Sequence, residues 1–210
     1  MRSTLMVLAA LALSGLALAA APGEKPAPAP AVAAKTEKAV FAGGCFWCME
    51  SNFEEVKGVV AVISGYTGGT KKNPTYEEVG EHTTGHVEAV EVEFDPAVVT
   101  YDKLLDRFWH SVDPTDAGGQ FCDRGETYTS RIFYRGDAQK AAAEASKAAL
   151  EKTKPFKPAI VTKIVEASEF WPAEDYHQDY YKKNPIRYRF YRQGCGRDAR
   201  VKAVWGAATE

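Results

Sequence analysis

The stretch AVFAGGCFWCMESNFEEV, residues 39–56, decides how the chain is built. Ala39-Val40-Phe41-Ala42 is an apolar run of strand length, and Gly43-Gly44 ends it and turns the chain. From Cys45 to Val56 apolar residues return at helical spacing, with Phe46, Met49 and Phe53 on one stripe. A strand that passes through two glycines into a helix announces a mixed fold. It also leaves a cysteine at the helix start.

Downstream the pattern repeats with variations. Gly58–Tyr66 (GVVAVISGY) is apolar and β-branched on both faces, as expected of a central strand. Thr75–Gly80 reads as a short helical turn. His86–Asp95 (HVEAVEVEFD) alternates as a strand and is stopped by Asp95-Pro96. Tyr101–Ser111 is an amphipathic helix with Tyr101, Leu104, Leu105, Phe108 and Trp109 on its apolar side. Val112–Glu126 reads as a long loop, and such loops in compact domains usually carry function. Arg131–Tyr134 and Ile160–Ala167 are strands. Between them Asp137 is expected to cap an Ala-rich helix reaching about Lys152. Pro172–Tyr181 is expected to be helical, with Pro at its start. Ile186–Arg192 (IRYRFYR) alternates aromatics and arginines and reads as an edge strand or a packed tail segment. The sum is a two-layer α+β domain, helices packed on a mixed, largely antiparallel sheet.

Upstream, Arg2 and the apolar run Leu5–Leu18 (LMVLAALALSGLAL), followed by Ala17-Leu18-Ala19, form a signal-peptide pattern over residues 1–20. The run is short for a membrane span. Residues 21–38 are rich in Pro and Ala and read as a linker, leaving 39–210 as the folded domain. The expectation is a soluble protein exported across the inner membrane to the periplasm. With 26 basic and 28 acidic side chains the net charge is −2, which does not favour nucleic acid as a partner. The Arg/aromatic interleaving of residues 186–192 would suit a single strand, but the leader and charge balance oppose that reading.

The four cysteines are Cys45, Cys48, Cys122 and Cys195. An oxidising compartment favours disulfides, and four cysteines allow three complete pairings. A domain of this size needs no disulfide scaffold, so redox chemistry competes with stapling. Cys45 opens a helix, where the partial positive charge favours a thiolate; this is the local design of an activated nucleophile, and equally that of a small buried residue. Phe46 lies on the core stripe, whereas Trp47 does not and suits a pocket wall. Glu88 falls on the apolar face of its strand with Val90, Val92 and Phe94, where burial would raise its pKa and make it a proton donor. The alternative is a frayed strand end or a structural ion pair. In the 118–125 loop Asp123 is placed either to orient an amide or to pair with Arg124. His82, His110 and His177 show no metal-ligand spacing with the cysteines, and no metal is expected.

Six segments, in order, resemble the peptide methionine sulfoxide reductase A family: Gly44-Cys45-Phe46-Trp47, Gly65-Tyr66-Thr67-Gly68-Gly69, Asn73-Pro74-Thr75-Tyr76, Gly85-His86-Val87-Glu88-Ala89-Val90, Asp113-Pro114-Thr115 and Tyr176-His177-Gln178. The resemblance implies a ferredoxin-like core and reduction of peptide methionine (S)-sulfoxide in the repair of oxidised proteins. It also implies the roles. Cys45 is the nucleophile. Phe46 and Trp47 hold the sulfoxide methyl, Glu88 protonates the oxygen, Tyr76 and Tyr128 donate to it, and Asp123 positions the substrate backbone. A sulfenic acid on Cys45 is then closed by a resolving thiol into a disulfide. The family uses no bound cofactor and a thioredoxin-like dithiol as electron donor. The chain is expected to act as a monomer. For the resolving thiol Cys195, flanked by Gly194 and Gly196, is preferred narrowly, with Cys48 the alternative and Cys122 a bystander. Two other readings stand beside this one: a thiol-disulfide oxidoreductase built on Cys45-x-x-Cys48, and a zinc-stabilised binding domain using all four cysteines.

Overall fold

The computed structural model describes residues 35–206. The expected signal peptide and all but the last residues of the linker lie outside them. Among the described residues no helix is long and apolar enough to cross a membrane.

The chain runs β1 (Glu37–Ala42), α1 (Phe46–Glu54), β2 (Val59–Thr67), α2 (Tyr76–Gly80), β3 (Val87–Phe94) and α3 (Tyr101–Trp109). A small hairpin of β4 (Gly119–Gln120) and β5 (Asp123–Arg124) follows, then a 3₁₀ turn over Glu126–Tyr128. The rest is β6 (Arg131–Tyr134), α4 (Gly136–Thr153), β7 (Lys163–Glu166), β8 (Trp171–Pro172), α5 (Tyr180–Lys183), α6 (Pro185–Gly194) and α7 (Arg197–Trp205). Six strands make one sheet in the order β7–β6–β1–β3–β2–β8. Its centre, β6–β1–β3–β2, is antiparallel throughout and is built from the sequence β1α1β2β3α3β6, the ferredoxin-like arrangement. The parallel pair is β6–β7, joined across α4 as a parallel connection requires.

The main core lies between the sheet and α1, α3 and α4. Phe41 on β1 stacks on Phe53 of α1 at 4.9 Å and on Phe108 of α3 at 5.3 Å, so one strand residue ties two helices to the sheet. Truncating such a ring costs about 3–5 kcal/mol. The opposite face is thinner: Val40, Ala42, Val87, Ala89 and Phe133 are covered by Val165, Ala167 and Phe170.

Several local expectations change. β1 begins at Glu37, two residues inside the expected linker, because Glu37 and Lys38 pair with Phe94 and Glu93. β2 is not a doubly covered central strand. Its outer neighbour β8 pairs only Gly65 and Tyr66, and Val60 is 60% exposed. The 112–126 loop contains the β4–β5 hairpin. Asp137 sits in the first turn of α4 rather than at its cap, and Gln139 reaches back to accept from the Arg135 N–H. Pro172 belongs to β8, and the helix waits until Tyr180. The intervening turns are held by Gln178, which accepts from Ser64 N and donates to Ser64 O and Ala173 O. Residues 186–192 are helical, not an edge strand, and start behind Pro185 at the first helical position.

Candidate active site

Cys45 occupies the N-cap of α1, after Gly44 in the left-handed region at φ 78°. A side chain at residue 44 would also meet Gln120 Cβ at 2.7 Å and Arg197 Nη2 at 3.0 Å, so glycine is required there. The Cys45 carbonyl accepts from the N–H groups of Cys48 and Met49. The Phe46 N–H has no partner inside the helix and donates to Glu88 Oε2 at 2.9 Å. One hydrogen bond thus fixes the β3 carboxyl beside the helix start.

Around these groups lies a cavity of about 60 Å³. Cys45, Phe46, Trp47 and Glu88 form one side of its lining, and Tyr76, Asp123, Tyr128 and Tyr191 the other. The sheet and α1 supply the first four. Tyr76 begins α2, whose start is set by a Thr75–Glu78 capping box and by Glu174 accepting the Tyr76 N–H at 2.9 Å. Asp123 comes from the hairpin, Tyr128 from the end of the 3₁₀ turn, and Tyr191 from α6. The seven residues singled out around Cys45 from sequence therefore meet at one place, drawn from five separate segments.

The electrostatics follow from burial. Glu88 is 3% exposed, and its pKa is pushed up to about 8 by desolvation, with the charges of Asp123 and Cys48 adding and the Phe46 N–H opposing. It is a neutral acid at pH 7. Burial and the Glu88 charge push Tyr76 up to about 12 and raise Tyr128 further, so both phenols keep their protons as donors. Asp123 is raised by burial and held back by Tyr191, whose hydroxyl donates to Asp123 Oδ2 at 2.5 Å. It does not pair with Arg124, which bridges Asp116 instead.

The cysteines separate into two pairs. Cys122 and Cys195 are joined in a disulfide, with Cα atoms 4.8 Å apart. Cys45 and Cys48 are free and buried, and their side chains are hydrogen-bonded. The helix start does not by itself leave Cys45 ionised. Burial and the neighbouring Cys48 and Glu88 charges raise its pKa, whereas Cys48 is lowered to about 6 by the hydrogen bond from Cys45 and by Arg197 and Arg192. The two thiols are thus shifted in opposite directions, Cys45 up and Cys48 down. Cys195 is committed to Cys122, and Cys48 is the thiol beside Cys45. The four sulfurs do not form a single tetrahedral set.

Some site residues escaped the sequence reading. His177, given no role beyond its place in the Tyr176-His177-Gln178 segment, accepts from Trp47 Nε1 at 3.1 Å and packs on the Phe46 ring at 5.0 Å. Tyr180 stacks on Trp47 at 3.7 Å, so the indole is clamped between α5 and the 173–178 turns. Glu174 joins the Tyr66 hydroxyl to the Tyr76 backbone. Tyr191 was hidden by the strand reading of residues 186–192. Pro185 and the helical spacing of Tyr188, Tyr191, Arg192 and Cys195 were the signal that places them on one face.

A family model described as peptide methionine sulfoxide reductase matches residues 37–209. The chain is 55% identical over 175 residues to the peptide methionine sulfoxide reductase MsrA of Bacillus licheniformis, covering 83% of this chain and 97% of that protein. With the Bacillus subtilis protein of the same name it shares 56% over 173 residues, 82% and 98% of the two chains. Among solved structures it is similar to reduced Mxr1 from Saccharomyces cerevisiae, with a TM-score of 0.68, 30% identity, and 73% and 88% of the chains covered. Mxr1 has also been solved in complex with Trx2.

Proposed function

Since the chain belongs to the peptide methionine sulfoxide reductase family, and is an enzyme that reduces methionine sulfoxide in peptides, we propose a role for each side chain of its cavity. Cys45 is the nucleophile. The observation that carries this is the meeting of its thiol with a protonated carboxyl, Glu88, and two phenol donors, Tyr76 and Tyr128, in one small cavity. A sulfoxide sulfur becomes electrophilic when its oxygen is protonated or strongly hydrogen-bonded, and these three groups face one oxygen. Phe46 and Trp47 enclose the methyl group, and Asp123, held by Tyr191, accepts from the substrate backbone.

The protons balance around the Cys45–Cys48 pair. As the Cys45 sulfur attacks, its proton passes to the Cys48 thiolate, while Glu88 gives its own to the sulfoxide oxygen. The S–O bond of the substrate breaks, methionine leaves, and Cys45 becomes a sulfenic acid. Cys48 is the resolving thiol in this state of the protein, because Cys195 is bonded to Cys122. Its attack on Cys45 forms the Cys45–Cys48 disulfide and releases water. A thioredoxin-like dithiol then reduces that bond by exchange; the Mxr1–Trx2 complex supports this choice of donor. The substrate is the S epimer.

Residues 1–20 act as a signal peptide, the residues between them and β1 as a linker, and the enzyme works in the periplasm. The Cys122–Cys195 disulfide suits an oxidising compartment. It acts as a monomer.

The test is reduction of the separated S and R epimers of a peptide methionine sulfoxide with a small dithiol. The wild type should turn over S alone, and Cys45→Ser neither. Turnover of both epimers, or activity in Cys45→Ser, removes the assignment. Cell fractionation with and without residues 1–20 tests the location.

A further inference from the structure

The two phenols of the cavity reach it from separate segments, Tyr76 at the start of α2 and Tyr128 at the end of the 3₁₀ turn. Among the described residues two side-chain hydrogen bonds join those segments directly, and both run through Thr127. The Thr127 hydroxyl, 2% exposed, donates to Val79 O of α2 at 3.1 Å. Its oxygen lies 2.8 Å from His82 Nδ1. A hydroxyl has one hydrogen to give, and that of Thr127 goes to Val79. His82 Nδ1 therefore carries the hydrogen of the second bond, and Thr127 accepts it.

His82 makes this bond from a backbone conformation that side chains seldom adopt. It follows Glu81, the cap of α2, and stands in the left-handed region at φ 60°, with its N–H donating to Val79 O at 3.0 Å. Glycine or asparagine fills that position most easily, and another residue is held there by its surroundings. The imidazole lies against Gly125, the residue before the 3₁₀ turn, where an added side chain would meet it at 2.7 Å. It also stands edge-on to the Tyr128 ring, with centroids 6.3 Å apart. From the end of the helix that begins with Tyr76, one side chain thus touches residues 125, 127 and 128.

We propose that His82 is a positioning residue of sulfoxide reduction: it fastens the end of α2 to the 3₁₀ turn and so fixes the spacing of the Tyr76 and Tyr128 hydroxyls. This rests on the reading of both phenols as donors to the sulfoxide oxygen. Two donors aimed at one developing charge act best when their separation is set before the reaction. Each phenol is anchored separately, Tyr76 by Glu174 and the capping box, and Tyr128 by its N–H on Gly125 O at 3.1 Å. The His82–Thr127–Val79 chain fixes one anchor against the other. His82 is not among the residues lining the cavity, so its loss should change the rate more than the affinity for substrate.

The experiment measures methionine release from a peptide methionine sulfoxide in a single turnover, read as the limiting rate and the substrate concentration that half-saturates it. It compares His82→Gly, His82→Asn and His82→Gln, alone and beside Tyr128→Phe. In His82→Gly the limiting rate should fall about fivefold, the order set by one hydrogen bond, with half-saturation within about twofold of wild type. His82→Asn should recover the rate to within about twofold, because its amide N–H lies as many bonds from Cα as Nδ1–H; His82→Gln, whose amide lies one bond further out, should not. Beside Tyr128→Phe, His82→Gly should cost less than about twofold more, as coupled residues do. A merely structural role would lower the rate alike in both backgrounds. A wild-type rate in folded His82→Gly, or a loss undiminished beside Tyr128→Phe, overturns the inference. Should His82→Gly not fold, Thr127→Val, which keeps the side-chain shape and removes both bonds, is read against the same limits. A wild-type rate in Tyr128→Phe alone would remove the reading of Tyr128 as a donor, and the inference with it; a slowed Tyr128→Phe beside an unslowed His82→Gly removes the inference only.

Discussion

Cys45 and Cys48 stand at the start of one helix, buried and free, whereas Cys122 and Cys195 are brought together across 73 residues and bonded near the surface. The two pairs share a chemistry and differ in surroundings. The first faces an acid, phenols and two arginines, and burial and these neighbours shift Cys45 and Glu88 up and Cys48 down. The second joins the β4–β5 hairpin to the α6–α7 junction, and with them Asp123 and Tyr191 at the cavity. Reactivity in this enzyme therefore depends on where a thiol is buried and which charges face it.

The widest separation between the pairs should come from Cys45→Ser, which abolishes turnover in any assay that counts methionine released. Glu88→Gln should follow, lowering kcat about 10²–10⁴-fold with the fold intact by circular dichroism. Near-wild-type kcat in that variant would mean that Tyr76 and Tyr128 suffice to polarise the oxygen.

The third effect bears directly on which pair resolves. Cys48→Ser should release one equivalent of methionine and then stop when a thioredoxin-like protein is the donor. The Cys122→Ser/Cys195→Ser double variant should keep recycling. The reverse pattern would return the resolving role to Cys195.

How much of this was legible beforehand differs between the two pairs. Around Cys45 the sequence carried nearly everything. The strand–Gly-Gly–helix transition placed the thiol, the period-two pattern of residues 86–95 buried Glu88, the 118–125 loop offered Asp123, and the family resemblance carried by the six ordered segments implied Tyr76 and Tyr128. The α+β architecture was legible too, because the apolar periods of β1, α1, β3 and α3 are local. The second pair was not legible. Its contact spans the chain, and the tail that carries Cys195 packs through long-range bonds such as Tyr191 to Asp123 and Arg197 to Gly43. The alternation IRYRFYR looks like a strand because aromatic and Arg stems can cover a helix face as well. Only Pro185 and the tertiary partners decide for the helix. The upward shift of the Cys45 pKa was not legible, for a related reason. The helix end is a local effect, while the burial and the Cys48 and Glu88 charges that outweigh it depend on the packed fold.

A smaller effect lies in the pH profile. Cys48 is lowered to about 6 and must be deprotonated to take the Cys45 proton; Glu88 is raised to about 8 and must be protonated to give one. The profile of kcat/KM for sulfoxide reduction should therefore be a bell with limbs near these values, falling about tenfold per unit outside them. Cys48→Ser should lose the acid limb, and Glu88→Gln the alkaline limb of its residual rate. An acid limb that survives in Cys48→Ser would show that another group takes the proton.

The smallest effect on chemistry, though not on stability, should come from removing the second pair altogether. In the Cys122→Ser/Cys195→Ser variant the unfolded chain regains the freedom that closing a loop of 73 residues removes, so stability should fall by up to about 4 kcal/mol, read from denaturant unfolding. The first turnover should slow only a few-fold. Asp123 and Tyr191 still meet through their own hydrogen bond, and Arg197 keeps its bonds to Gly43 and Ser111. A fall in methionine release matching that of Cys45→Ser would show that the surface pair takes part in the chemistry. The distinction between a reactive pair and a bracing pair would then be lost.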